Sequence, residues 1–170
     1  MSVHRCFQSL LVLAAALGVA CTAGAAEVGD DCKPVVAAVE KSFLADHVAV
    51  TRQGDVTTHE VTFGGQSWTD VEGHWRASHL SPQDMIDKSH EDVAGSRQFS
   101  CTSLPDALVD GVAVLMYAVH IEKVSGQVGG GRIAIARATG LVVSTESDSS
   151  ARDVVGLTTH FRYDDVKPPM

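Results

Sequence analysis

The feature that most constrains the fold is an alternation of apolar and polar residues in the last third of the chain. Two alternating runs, residues 132–137 and 141–146, flank a Thr139-Gly140 turn. A third run at residues 157–163 alternates in the same way and stops before Asp164. Because a period of two places successive side chains on opposite faces of a sheet, this pattern predicts three consecutive antiparallel strands.

A fourth strand is predicted just ahead of these three, at residues 112–122, which read VAVLMYAVHIE. One face of this strand carries Val114 and Met116, and the other carries Leu115 and Val119. A strand with two apolar faces has to be covered on both sides. One face can pack on a helix, and the other must meet a second apolar surface.

Two helices are predicted outside this region. Residues 34–44 begin with a proline suited to a first turn, and their apolar residues recur at helical spacing. This stripe consists of Val35, Val36, Val39 and Phe43. Ser81-Pro82-Gln83-Asp84 has the residues of a helix start and predicts a helix that runs to about Val93 and ends at Gly95.

The order of elements predicts the fold class. Short alternating runs with glycine-containing turns lie between the two helices, at residues 47–76, and indicate hairpins. Helix, hairpins, helix and four strands describe an α+β domain. We expect a curved antiparallel β-sheet, because a long meander can bend into a partial barrel. Residues 126–131, which end in Gly129-Gly130-Gly131, are interpreted as a flexible turn.

The first 26 residues have the pattern of a cleaved signal peptide. Arg5 precedes an unbroken apolar run at residues 10–20, and Ala23-Gly24-Ala25 provides the small residues that signal peptidase requires. We expect cleavage after Ala25 or Ala26, and export to the periplasm. Lipidation at Cys21 is the competing interpretation, although Gly18 stands where a lipoprotein signal usually has leucine.

The remaining chain suits one domain, residues 27–166, followed by a short tail at residues 167–170. The whole chain has 13 Lys and Arg and 21 Asp and Glu. Removing Arg5, the only charged residue of the signal, leaves 12 basic against 21 acidic residues, a net charge of −9. Such an acidic surface argues against nucleic acid and anionic membranes as partners. No second apolar segment approaches the roughly 20 residues of a membrane-spanning helix.

Cleavage also removes Cys6 and Cys21, so that Cys32 and Cys101 remain. In an exported protein, two remaining cysteines predict one disulfide. Two buried free thiols are the alternative. A metal site is disfavoured because neither cysteine has a second ligand at the short spacing typical of zinc sites.

Motifs of catalysis or cofactor binding are absent from the sequence. The seven histidines that follow the signal show no HExxH or HxH spacing, and neither GxSxG nor SxxK occurs. The three glycines at 129–131 precede a predicted strand rather than a helix, which does not suit a phosphate-binding loop. We therefore predict no catalytic residue, no metal and no cofactor.

A family resemblance is carried by two segments. Residues 132–146, RIAIARATGLVVSTE, and residues 156–166, GLTTHFRYDDV, with Pro168 after them, resemble a pattern of the periplasmic lipoprotein-carrier (LolA/LolB-like) superfamily. Asp110-Gly111-Val112, which opens the preceding strand, resembles it as well. Ala134-Ile135-Ala136 departs from the pattern, because the family often has an aromatic residue and an acid there. The resemblance implies a half-barrel with helices over its mouth that binds lipid or acyl chains and has no catalytic activity.

These observations favour a periplasmic, non-enzymatic protein, similar to a carrier or a sensor, that binds an apolar ligand in a half-barrel. Its expected partners are a lipid or lipoprotein acyl chain, or another envelope protein. The predicted lining residues lie on the apolar faces of the strands: Val114, Met116, Ile133, Ile135, Leu141, Val143 and Phe161. One alternative is a structural or interaction module of the envelope whose core is filled by its own side chains. A small exported hydrolase is a further alternative, for which the sequence offers no convergent acid, base and nucleophile.

Overall fold

A computed structural model of the chain describes residues 28–148 and 156–169. The predicted signal peptide and Cys21 lie outside the described residues. Within the described part, a 3₁₀ turn at Asp30–Cys32 leads into helix α1, Lys33–Leu44, and a second helix, α2, spans Pro82–Ala94. Neither of these helices is long and apolar enough to span a membrane. The described strands are β1 His47–Gln53, β2 Val56–Phe63, β3 Gln66–Val71, β4 His74–Ala77, β5 Ser96–Val109, β6 Val112–Lys123, β7 Val128–Ala136, β8 Val142–Asp148 and β9 Leu157–Arg162.

All nine strands belong to one open antiparallel sheet with the order β4-β3-β2-β1-β9-β8-β7-β6-β5. Strands β1 to β4 form one meander and β5 to β9 form another, and pairing of β1 with β9 joins the two. Strands β4 and β5 are the two edges of the sheet, and α2 connects them in sequence. The predicted α+β fold with a curved antiparallel sheet and covering helices is confirmed.

Both helices begin where the sequence predicts. At α2, the Asp84 backbone N–H donates to the Ser81 hydroxyl at 3.2 Å, and the Ser81 N–H donates to the Asp84 carboxylate at 2.7 Å. This capping box satisfies two backbone donors that have no partner inside the helix. The hydrogen bonds from the Ser81 side chain and backbone hold the pKa of Asp84 below its usual value. At α1, Pro34 occupies the first turn, as expected.

Two segments differ from the sequence-based prediction. Gly129, Gly130 and Gly131 are not a flexible turn: they lie inside strand β7 and pair with β6. The interpretation as a turn was wrong because it weighed the flexibility of glycine and not the close backbone approach that glycine permits inside a sheet. The second segment is strand β5, Ser96–Val109, to which the sequence pattern assigned no element of this length.

The main core lies between α1 and one face of the sheet. Its buried residues are Cys32, Val35 and Ala38 from the helix side and Cys101, Ile133, Ile135 and Val142 from the sheet. Cys32 and Cys101 form a disulfide, as predicted. This bond fastens the start of α1 to the edge strand β5.

The opposite face of the sheet has a smaller core of its own. Val114 of β6 is fully buried there against Ala134, Ala136 and Val143. Neither α1 nor α2 covers this core. Instead, the turn of the β5–β6 hairpin approaches β9: Oδ2 of Asp110, in the turn, lies 3.2 Å from Nδ1 of His160, in β9. Because β7 and β8 separate β6 from β9 in the sheet, this contact requires the sheet to bend. The predicted cover on both faces of β6 is therefore confirmed, and curvature of the sheet provides one side of it.

Ser42 connects α1 to the sheet through buried hydrogen bonds. Its hydroxyl donates to the Ala38 carbonyl at 2.7 Å and accepts from the Val142 N–H at 2.9 Å. We expect Ser42→Ala to lower the free energy of unfolding by about 2 kcal/mol, because the buried Val142 N–H loses its partner. Urea denaturation of the purified protein measures this loss. Ser125→Ala, in an exposed turn, is the control and should change stability by less than about 0.5 kcal/mol; an equally small effect at Ser42 would contradict the expectation.

Candidate functional site

A cavity of about 760 Å³ lies between the two helices and the face of the sheet that α1 covers. We call it the inter-helix cavity. Its first wall is the apolar stripe of α1: Val35, Val36, Val39 and Phe43. Val35 also belongs to the core, whereas Val36 faces the cavity without being part of the buried core cluster. The helical spacing that predicts α1 therefore also explains this wall.

Helix α2 forms the second wall. It contributes the apolar residues Met85, Val93 and Ala94 and the polar residues Lys88, Ser89, His90 and Asp92. Only Pro82 and Ile86 of this helix are buried, so few apolar contacts hold the helix against the rest of the protein. Two polar contacts supplement them: His90 Nε2 lies within hydrogen-bond distance of Glu40 Oε1 on α1, at 2.6 Å, and Lys123 Nζ forms an ion pair with Asp92 Oδ1 at 2.5 Å.

The floor of the cavity is formed by strands β5 to β8. The side chains of Phe99, Val119, Ile121 and Ile133 line it, together with Gly130 and Gly131. Gly131 pairs with Val119 and Gly129 pairs with Ile121, and directly paired residues share a face of the sheet. At Gly130 and Gly131 an added methyl group would meet backbone atoms of β6 and β8, so the strands approach closely there and only backbone lines the cavity.

Charged residues surround the cavity and are largely paired. Arg132 and Glu146 bridge β7 and β8 with 2.6 Å between Nη2 and Oε2. The hydrogen bond from Lys123 holds the pKa of Asp92 below its usual value, so this carboxylate stays ionised. The arrangement is an apolar interior with charged groups around it, which is the usual construction of a small-molecule site, and its volume falls within the roughly 300–1,000 Å³ of such sites.

A second hollow, of about 680 Å³, lies on the opposite face, beside the β5–β6 hairpin. Its apolar lining consists of Val48, Val50, Val112, Ala136, Leu141, Val143 and Phe161. Its polar lining consists of His59, Asp110, Thr139, His160, Arg162, Tyr163 and Asp164. The contact between Asp110 and His160 closes one side of this hollow. Polar groups make up half of its lining residues, so it suits an apolar ligand less well than the inter-helix cavity does.

The seven predicted lining residues are not brought together at one site. Ile133 lines the inter-helix cavity, and Leu141, Val143 and Phe161 line the second hollow. Val114, Met116 and Ile135 line neither, because they are packed in or against the two cores. Strand alternation sends neighbouring apolar residues to opposite faces, and both faces of these strands are covered. That any of the seven contacts a ligand stays a prediction.

Most residues that line the inter-helix cavity were not predicted as site residues. The signals that identify part of the lining are the α1 stripe and the run of glycines, because glycine inside a strand indicates a close approach of neighbouring backbones. No sequence pattern assigns α2 to this cavity, since its few apolar residues only predict a largely exposed helix.

One titratable group with a shifted pKa, Glu60, lies outside the inter-helix cavity. Burial raises the pKa of Glu60 on β2, and the nearby His47 opposes that shift. Glu60 lines neither the cavity nor the second hollow. In the described part of the chain, no three His, Cys, Asp or Glu residues come close enough together to hold a metal ion.

No protein-family model matches the chain, and no curated protein matches it in sequence. Among solved structures, LprF from Mycobacterium bovis superposes with a TM-score of 0.50 at 11% identity, over 86% of this chain and 99% of LprF. The lipoprotein LppX from Mycobacterium tuberculosis superposes with a TM-score of 0.50 at 9% identity, over 82% of this chain and 99% of LppX. The chain therefore shares the fold of these two proteins, and the fold expected from the distant family resemblance is confirmed.

Proposed function

We propose that the protein is a non-enzymatic binding protein that holds a lipid or acyl chain in the inter-helix cavity. The observation that carries this proposal is the cavity itself: about 760 Å³, with apolar side chains from both helices and from the floor of the sheet. Each methylene group that leaves water for such surroundings contributes about 0.8 kcal/mol. A long alkyl chain therefore gains enough from burial to bind without many polar contacts.

We further propose that the protein acts in the periplasm after removal of residues 1–26, with residues 27–166 as one domain and residues 167–170 as a tail. The Cys32–Cys101 disulfide supports export, because such bonds persist in oxidising compartments. The shared fold with LppX, which is itself a lipoprotein, is consistent with a role in the cell envelope.

A pair of tryptophan substitutions on α1 tests the location of the site. Val36 lines the cavity, whereas its neighbour Ala37 is exposed on the outer side of the helix. Val36→Trp should fill part of the cavity and weaken the binding of a fluorescent apolar probe, N-phenyl-1-naphthylamine, by about tenfold, which corresponds to about 1.4 kcal/mol. Fluorescence titration measures the dissociation constants of both variants.

Ala37→Trp is the matched control, because it adds the same side chain one position away, and its affinity for the probe should equal that of the unmodified protein. Equal affinities for all three proteins would show that the probe does not use this cavity. Native mass spectrometry of protein purified from the cell envelope should also detect a bound lipid. If no lipid is retained and no probe binds, the protein is better described as a structural module.

A further inference from the structure

The charged side chains that line the inter-helix cavity differ in how far the protein itself neutralises them. The lining residues that can carry charge are Lys88, His90, Asp92, Arg132 and Glu146. Arg132 and Glu146 are paired with each other, and His90 is paired with Glu40 of α1. These groups are engaged in contacts that connect neighbouring elements, so a ligand would have to break an existing ion pair to use them.

Lys88 is different. Among the described residues, no carboxylate forms an ion pair or hydrogen bond with it. Asp92 lies one turn further along α2, but its carboxylate contacts the Lys123 ammonium at 2.5 Å, and Lys88 reaches Asp92 only through a longer-range attraction. Lys88, Asp92 and Lys123 together therefore carry one positive charge in excess. Asp84 and Glu91 lie one turn before and after Lys88 on α2, but neither forms a hydrogen bond or ion pair with it, and the Asp84 carboxylate accepts from Ser81. The exposed Lys88 ammonium is therefore the charged group lining the cavity that makes no direct contact with an acid.

We propose that Lys88 is the headgroup-binding residue of the inter-helix cavity and that the ligand is an anionic amphiphile, with a carboxylate or phosphate at the end of its alkyl portion. This inference rests on the proposed function. The apolar walls take the alkyl portion, and the ammonium of Lys88 donates charge-assisted hydrogen bonds to the anionic oxygens. Low-dielectric walls on one side strengthen this attraction relative to open water.

Four single-chain probes of equal length separate the contribution of the headgroup from that of the chain. They are palmitate, hexadecyl phosphate, hexadecanol and hexadecyltrimethylammonium, each titrated below its aggregation limit in competition with N-phenyl-1-naphthylamine at about pH 8, where carboxylates are ionised. The full chain without its signal should bind both anions roughly threefold to fivefold more tightly than hexadecanol, the range of a partly exposed ion pair. The cationic probe should bind most weakly.

Variants of Lys88 then identify the source of this preference. Lys88→Gln should remove the preference for anions over hexadecanol, whereas Lys88→Arg should retain it. Lys33→Gln is the matched control: Lys33 is an exposed lysine of α1 that pairs with Asp30 and does not line the cavity. Circular dichroism verifies that each variant is folded.

The outcomes distinguish this inference from the proposed function. Equal affinity for palmitate and hexadecanol in the unmodified protein, or an unchanged preference in Lys88→Gln, overturns the assignment of Lys88 while apolar binding stands. Failure of all four probes to compete overturns the proposed function and this inference together. A preference that is lost equally in Lys33→Gln would mean that general surface charge causes it, and it would also overturn the assignment.

Discussion

Replacing Cys32 and Cys101 together by alanine should lower the free energy of unfolding by about 4 kcal/mol. The disulfide joins residues that are 69 positions apart, and a crosslink over such a long segment restricts the unfolded chain strongly. Both cysteines are also buried in the main core, so the substitution adds a small loss of packing. Urea denaturation of the oxidised protein and of the double variant measures the difference.

Two comparisons separate the crosslink from the packing. The unmodified protein under reducing conditions keeps both sulfur atoms in the core but loses the bond, so it should show most of the destabilisation. The double variant should be insensitive to reductant. A loss smaller than about 1 kcal/mol in both the reduced protein and the variant would contradict a stabilising role for the disulfide, because native disulfides of small exported domains typically contribute about 2–5 kcal/mol.

The second large effect is expected at Gly131, on the floor of the cavity. A methyl group there would overlap the carbonyl oxygen of Glu146 on the neighbouring strand β8. Because a backbone atom cannot move aside as a side-chain end can, Gly131→Ala should push β7 and β8 apart and lower the free energy of unfolding by about 3 kcal/mol. Thermal and urea denaturation measure the loss.

Gly129 provides the matched control on the same strand and the same face. A methyl group at Gly129 would lie 3.4 Å from the Ile121 Cγ2 atom, an ordinary contact. Gly129→Ala should therefore change stability by no more than about 0.5 kcal/mol. Equal destabilisation of both variants would mean that the overlap with Glu146 does not determine the effect.

The glycine pair also has a consequence for binding. Both positions lie at the end of the floor where Val119 and Ile121 are their cross-strand partners. A methyl group at Gly129 would contact the Ile121 side chain of the floor without displacing a strand, so the Gly129→Ala protein is suitable for probe titration, whereas Gly131→Ala changes the sheet itself. The three glycines are therefore part of the architecture of the candidate site.

Local patterns in the sequence were sufficient for both helices and for the alternating strands. The Ser81 capping box, the proline at the start of α1 and the alternation in the last strands depend on neighbours within a few residues, so they can be read without knowing the tertiary structure. The disulfide was predictable for another reason: two cysteines remain once the predicted signal is excluded, and only one pairing exists between them.

The candidate site depended on contacts between distant residues. The alternation places the apolar residues Val114, Met116 and Ile135 on strand faces, but it does not indicate which face of the sheet a helix covers. In the structure these three residues pack in or against the cores. The walls from α2 and the floor at Gly131 arise only when β4 and β5 become opposite edges of one sheet and α2 connects them.

The sequence by itself determined the helices, the alternating strands and the disulfide, because each depends on local backbone preference or on the cysteine count. Only the tertiary structure decided how the two meanders join, how the β5–β6 hairpin approaches β9, and where space remains between the helices and the sheet. The physical reason is that a cavity is the volume that packing leaves unfilled. Its position depends on the shapes of all the elements around it, and no short segment of sequence records it.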